Sequence, residues 1–136
     1  MNGYLLDTDI LIELTKRNRE VTHHLIAVQQ AGEPVYMHAL SYHETKRGLL
    51  RANAVKQVEA FERLCRRVPL VNLTLNSLDI AAQIYADLAS QGLLIGDADI
   101  LIAASAIEQN LTLVSRNLRH YERIPNLLVV NWVSAN

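Results

Sequence analysis

Hydrophobic residues fall along this chain in two alternating kinds of run, short unbroken ones and longer ones spaced three and four apart. Gly3 to Leu6 is a short apolar-leaning run that meets Asp7 and Thr8. It predicts a strand, a cap and then a short helix through Leu11, Ile12 and Leu14. Val21, Leu25 and Val28 keep helical spacing, and Ala31-Gly32 closes that helix. Pro34 to Met37 predicts a second strand. Helical sequence resumes in LSYHETKRGLL, breaks at the polar Arg51 to Asn53, and returns through Val55, Val58 and Phe61 to Cys65.

The second half repeats the alternation. Pro69 to Leu73 predicts a third strand. Ile80, Ala81, Ile84, Tyr85 and Leu88 follow at amphipathic helical spacing until Gly92. Asp97-Ala98-Asp99 opens ILIAASAIEQ, which is apolar on most sides and predicts a buried helix. Leu111 to Val114 predicts a fourth strand, Asn117 to Tyr121 a helical turn, and Leu128 to Val130 a fifth strand. Short continuous apolar strands separated by helices are the pattern of a mostly parallel sheet covered on both faces. The expected fold is a three-layer α/β/α sandwich around a mostly parallel five-stranded sheet. No linker, repeat or low-complexity tract divides residues 1–136, so one domain is expected.

Composition narrows the class. With 136 residues and half of them hydrophobic, the chain can bury a core without staples, and a charged fraction of 20% argues against disorder. Thirteen Lys and Arg against 14 Asp and Glu create no overall basic field for nucleic acid or membrane. Cys65 is the single cysteine, which excludes an internal disulfide and a cysteine-rich zinc site; its place in FERLCRRV suggests a packed thiol. The five histidines lack zinc spacing: His23 and His24 are adjacent, and His38, His43 and His120 are scattered, so core or surface roles are expected. The five glycines are isolated and build no phosphate cradle, and Trp132 is expected to anchor the last strand. The acidic opening MNGYLLDTDILIEL is poor signal-peptide material, and no apolar run approaches 18 residues. A soluble cytoplasmic protein with no membrane partner is expected.

The acids are placed unevenly. Asp7 and Asp9 follow the first strand, Glu44 lies about a turn and a half into the helix after the second, and Asp97 and Asp99 open the buried helix. In an open parallel sheet, ligands gather beyond the carboxyl ends of strands. If the first strand is central, all three groups converge there. Carboxylates held together repel unless a hard divalent cation such as Mg2+ or Mn2+ compensates. Capping is the plain alternative for Asp7 or Asp9 and for Asp97 or Asp99, and a solvated helix face for Glu44. Thr8 adds a hydroxyl beside the first acid. Ser115-Arg116-Asn117 after the fourth strand suits either a phosphate-handling loop or an ordinary turn.

DTDILIEL, the isolated Glu44 and the late block IGDADILIAASAIEQNLTLVSRNLRHYERIPNLLVVNW together resemble PIN-domain ribonucleases, and more narrowly the VapC-type toxins of bacterial toxin–antitoxin pairs. The resemblance spans nearly the whole chain and is most specific in the late block. It implies that Asp7 is the first metal-binding aspartate with Thr8 beside it, that Glu44 and Asp99 complete the core acids, and that Asp97 is an accessory ligand. Ser115 stands where a threonine is common. Asn117 stands where many members carry a fourth acid and others an asparagine, which would weaken a second metal position unless Asp9 or Asp97 compensates. The implied activity is metal-dependent hydrolysis of RNA phosphodiesters, with Arg116 as an accessory phosphate contact. The implied partners are RNA, a second copy of the chain and a cognate VapB-like antitoxin. Leu49, Leu50, Phe61 and Leu64 are candidates for partner surface or for core.

Two other classes remain to be weighed. Asp7-Thr8-Asp9-Ile10 begins like the nucleophile motif of haloacid-dehalogenase phosphatases, but Leu11 stands where that motif wants Thr or Val. No lysine follows a late strand, which also counts against a receiver domain. A non-catalytic partner-binding protein would not need all three core acids. The five clustered acids leave nine of the 14 against 13 Lys and Arg, a formal excess of four positive charges elsewhere. Lys46, Arg47, Arg51, Lys56, Arg63, Arg66 and Arg67 concentrate that excess in the middle of the chain, so basic flanks around an acidic groove are expected.

Overall fold

Neighbouring residues on the central strand serve two different cores. In the computed structural model, which describes residues 3–134, Leu5 packs with Ala81, Ile84, Leu88 and Ile102, whereas Leu6 packs with Ile10, Val21, Met37 and Phe61. Leu113 and Val114 divide in the same way. Side chains alternate across a strand, so apolar residues in unbroken runs supply both faces of a sheet and demand a cover on each.

The elements follow in the order β1 (Tyr4–Leu6), α1 (Thr8–Thr15), α2 (Arg19–Gln30), β2 (Val35–His38), α3 (Ala39–Arg51), α4 (Val55–Cys65), β3 (Leu70–Val71), α5 (Leu75–Ser90), α6 (Asp97–Glu108), β4 (Thr112–Val114), α7 (Leu118–Tyr121) and β5 (Val129–Val130). The strands form one sheet in the order β3-β2-β1-β4-β5, and every pairing is parallel. Leu5 stands between Tyr36 and Leu113, so β1 is the centre. Helices α1 to α4 supply the core on the Leu6 face and α5 and α6 that on the Leu5 face, giving the expected α/β/α sandwich. No helix among the described residues is long and apolar enough to cross a membrane.

Helix ends follow local chemistry. Asn18 Oδ1 accepts from the Val21 N–H at 3.1 Å to start α2, and Gly32 and Gly92 take the left-handed φ of 78° and 69° after α2 and α5. Helix α5 begins at Leu75, a turn and more before its apolar stripe, because Thr74 and Ser77 exchange side-chain bonds to each other's backbone N–H. The two edge strands are shorter than predicted. Pro69 has no N–H for the ladder, and Leu70 and Leu128 are 50% and 70% exposed, so neither edge offers a second face to hold more residues.

The polar residues expected inside are accommodated. His38 is fully buried at the start of α3. Its Nδ1 accepts from the Leu40 N–H at 3.0 Å, and its Nε2 lies 2.9 Å from Ser105 Oγ, whose own proton goes to the Leu101 carbonyl. Burial pushes its pKa down to about 4, so it is a neutral core histidine. Phe61 and Leu49 are core, Leu64 is half-buried and Leu50 is exposed. Cys65 is half-buried, and burial raises its pKa away from thiolate reactivity. Trp132 is buried against Tyr4 and stacked on His24.

Two glycines give opposite expectations. A Cβ on Gly3 would lie 2.8 Å from the Pro34 carbonyl oxygen, which is backbone and cannot step aside. Gly3→Ala should lower stability by about 1–3 kcal/mol. Gly48, inside α3, has nothing within 4 Å of the same position. Gly48→Ala should raise stability by about 0.5–1 kcal/mol. Urea unfolding of both variants checks the pair.

Candidate active site

The strand order puts the carboxyl ends of β1 and β4 side by side, at the point where the chain's connections leave in opposite directions. Ligand crevices open at such points. The ladder carries on past both strands: the Asp7 N–H donates to the Val114 carbonyl and the Ser115 N–H to the Val130 carbonyl, each at 2.9 Å. Asp7 and Ser115 are thereby held as neighbours although 108 residues separate them.

Asp7 is the centre of the site. Only 6% of it is exposed. Its Oδ2 accepts from Ser115 Oγ at 2.9 Å and from the Tyr121 hydroxyl at 3.0 Å, while Oδ1 accepts from the Thr8 N–H at 2.9 Å. Burial, then the neighbouring Asp9, raise its pKa to about 6 against the lowering effect of those three donors. Asp7 also forms the N-cap of α1, so the capping reading holds for it alongside the site reading.

Three further carboxylates lie around it. Glu44, on α3, accepts from Thr8 Oγ1 at 3.1 Å. Asp99, in the first turn of α6, has its Oδ1 3.2 Å from the Tyr121 hydroxyl oxygen, whose single proton it shares with the nearer Asp7 Oδ2. Asp9 Oδ2 accepts from the Arg116 N–H at 2.9 Å and lies 3.4 Å from Ser115 Oγ, whose proton is committed to the nearer Asp7. Asp9 Oδ1 is buried with no hydrogen-bond partner, and burial raises the pKa of this carboxyl too. The ion pairs among the described residues are Lys46–Glu62 and Arg116–Glu13, and neither involves these four acids.

The remaining expected residues lie around the cluster rather than in it. Asp97 is exposed and borders a groove with Leu78, Tyr85 and Leu101 between α5 and α6. Two residues make about 200° of helical turn, so Asp97 and Asp99 cannot share a direction. Asp97 does not cap α6 either, since Gly96 is the N-cap and no side chain bonds there. The Asn117 N–H donates to Ser115 Oγ at 3.0 Å, and its side-chain amide lies 2.8 Å from His120 Nδ1, so it shapes the loop after β4. The Arg116 side chain is exposed and reaches Glu13 at 3.5 Å. Tyr121 was not among the residues expected from the sequence. A tyrosine one helical turn beyond the Ser115-Arg116-Asn117 loop was its only local signal.

Every side-chain donor in the cluster is a hard oxygen, the chemistry of Mg2+ and Mn2+ rather than zinc. Among the described residues no three His, Cys, Asp or Glu side chains stand together as a ready cation cage. The acids are tied through Thr8, Ser115 and Tyr121 instead. Four carboxylates, one with an orphaned oxygen, and no basic side chain paired to them nevertheless suit a divalent cation.

Comparison with known proteins agrees with this architecture. The PIN domain family model matches residues 4–126. The chain is 32% identical over 135 residues to ribonuclease VapC2 of Haemophilus influenzae strain Rd, covering 98% of this chain and 100% of that protein. The structure of VapBC-1 from nontypeable H. influenzae is similar with a TM-score of 0.84 and 26% identity, over 97% of this chain and 98% of that one. The fold is also that of VapBC2 from Rickettsia felis bound to a promoter DNA fragment, with a TM-score of 0.89 at 24% identity, over 98% of this chain and 100% of that one. These matches decide against the haloacid-dehalogenase class. The chain belongs to the PIN-domain family, within its VapC group of ribonuclease toxins from toxin–antitoxin pairs.

Proposed function

We propose that this protein is a metal-dependent endoribonuclease toxin whose Asp7, Glu44 and Asp99 hold Mg2+ or Mn2+. The observation that carries the reading is Asp7 itself. It is a buried carboxylate beside three others, raised to a pKa of about 6, with hydroxyl and N–H donors but no cationic side chain bonded to it. Such an arrangement costs stability in the isolated fold and becomes favourable when a cation is supplied.

A divalent ion, when held by these acids, would supply a water of lowered pKa and would offset charge on the phosphate oxygens. The chain's own residues do the positioning. Ser115 and the Thr8 N–H fix the Asp7 carboxylate, and the Thr8 hydroxyl orients Glu44. The orphaned Oδ1 of Asp9 is a spare acceptor for a water proton or a second ion. Arg116, exposed at the rim, offers its guanidinium to a phosphate. Asn117 supports the Ser115 loop, and Asp97 contributes negative charge at the mouth of α6 without facing Asp99. Arg47, exposed one helical turn beyond Glu44 on α3, offers a further guanidinium to phosphate. Arg63 and Arg67 instead line a separate groove with Leu14, Arg17 and Arg19 at the far end of α1. The basic flank expected from the sequence is therefore only partly gathered at the acids.

Partners follow from the family. Relatives are known as VapBC pairs, and a cognate VapB-like antitoxin that covers the acidic groove is the corresponding partner here. A homodimer is expected, and light scattering should return twice the 15.3 kDa mass of the chain.

Asp7→Asn should reduce RNA cleavage in Mg2+ or Mn2+ to the level seen in EDTA, while circular dichroism stays unchanged. A phosphomonoester should remain intact with both proteins. RNA cleavage by the variant at the wild-type rate would sink the assignment, and absence of both cleavage and metal binding in the wild type would leave a partner-binding protein.

Stability should depend on pH in a defined direction. The folded pKa of Asp7 is raised from 3.8 to about 6, so the native state binds the proton more tightly than the unfolded chain. Without metal, this group's contribution to stability falls as pH rises from about 4 through about 6, and the full penalty is present above that. In EDTA at pH 7.5, Asp7→Asn should be the more stable protein, by on the order of 1–3 kcal/mol. The difference should disappear near pH 4. Thermal unfolding across that range, with Mn2+ stabilising only the wild type at pH 7.5, checks the sign.

A further inference from the structure

The Tyr121 hydroxyl lies 3.0 Å from Asp7 Oδ2 and 3.2 Å from Asp99 Oδ1, so one phenol spans an acid at the end of β1 and an acid at the start of α6. Its ring is 1% exposed and packs in the Leu5-face core with Ile100, Ala103, Leu113 and Ile124. The hydroxyl is therefore a donor whose position is set by core packing rather than by a mobile side chain. Burial and the two acids raise the phenol pKa, so it remains neutral and keeps its proton.

The lone pairs show what this contact leaves free. Asp7 Oδ2 is filled by Ser115 and Tyr121, and Oδ1 receives only the Thr8 N–H. Asp99 Oδ1 shares with Asp7 Oδ2 the single proton of the Tyr121 hydroxyl, and Asp99 Oδ2 has no hydrogen bond among the described residues. Each carboxylate thus keeps one oxygen with capacity for a cation while its other oxygen is tied to the phenol.

We propose that Tyr121 is a positioning residue, a rigid hydrogen-bonding strut that presents Asp7 and Asp99 to the divalent ion and stays in place when the ion binds. This rests on the reading that those two acids are metal ligands. Groups bonded to the far side of metal ligands commonly set affinity by ten- to a hundredfold. Ser115 does for Asp7 alone what Tyr121 does for the pair.

Mn2+ binding to the metal-free 136-residue chain, followed by calorimetry and by electron paramagnetic resonance of free Mn2+, tests the proposal. Tyr121→Phe keeps the ring and removes only the hydroxyl. It should bind Mn2+ about tenfold more weakly than wild type. RNA cleavage by the variant should drop at low Mn2+ and recover at saturating Mn2+, which a general loss of folded protein would not produce. An unchanged Mn2+ affinity in Tyr121→Phe, with binding lost in Asp7→Asn, overturns the strut and leaves the metal site standing. Equal failure of wild type and Asp7→Asn to bind Mn2+ overturns the metal reading and the strut together. Should Tyr121→Phe not fold, the wild-type protein still decides. The Tyr121 hydroxyl proton, shielded between two carboxylates, should give a slowly exchanging NMR signal that persists when Mg2+ is added. Its disappearance on Mg2+ addition would show that the phenol lets go, which overturns the proposal.

Discussion

A carboxylate buried at the end of the central strand constrains everything near it. Asp7 follows β1 directly, and β1 is the strand on which both layers of the sandwich pack, so Asp7 cannot swing toward solvent without disturbing the sheet. Its charge must be met in place. The backbone N–H of Thr8, the hydroxyl of Ser115 after β4 and the phenol of Tyr121 on α7 do so in part. The raised pKa shows that they do not fully offset burial and the adjacent Asp9.

That constraint explains why neutral hydroxyls, rather than lysines or arginines, surround the acids. A basic side chain bonded to Asp7 would remove the electrostatic deficit and compete with a cation for the same oxygens. Hydroxyl donors orient a carboxylate while leaving its negative charge available. Arg116 fits this division: its backbone N–H serves Asp9, and its guanidinium stays at the rim against Glu13. Four acids are thereby gathered beyond the strands without a basic side chain bonded to them.

The topology makes this separation possible. The sheet order β3-β2-β1-β4-β5 sends the early helices to one face and the late ones to the other, and leaves β1 beside β4. Residues from α1, α3, α6 and α7 and from the loop after β4 then meet across sequence separations of 22 to 114 residues. The near-neutral total charge conceals this arrangement, because a sum over the chain carries no information about where the charges meet.

Much of the architecture was legible in the chain because it depends on neighbours in sequence. Unbroken apolar runs marked the strands, three- and four-residue spacing marked the helices, and acids near the starts of helices after strands marked the crevice edge. The choice of Asp7, Glu44 and Asp99 among the five acids came from the resemblance to PIN-domain ribonucleases. What depends on distance in space was not legible. The direction of Asp97 follows from how α6 is rotated against α5, and the length of the edge strands from the lack of a second neighbour. The burial that shifts Asp7, and the placing of the Tyr121 hydroxyl between two acids, arise from the packing of β1, α6 and α7 against one another. Periodicity determined which residues form each element, because backbone hydrogen bonding and side-chain alternation are local. Only the tertiary structure decided which oxygens share a proton, because that requires contacts between segments that the order of residues leaves unspecified.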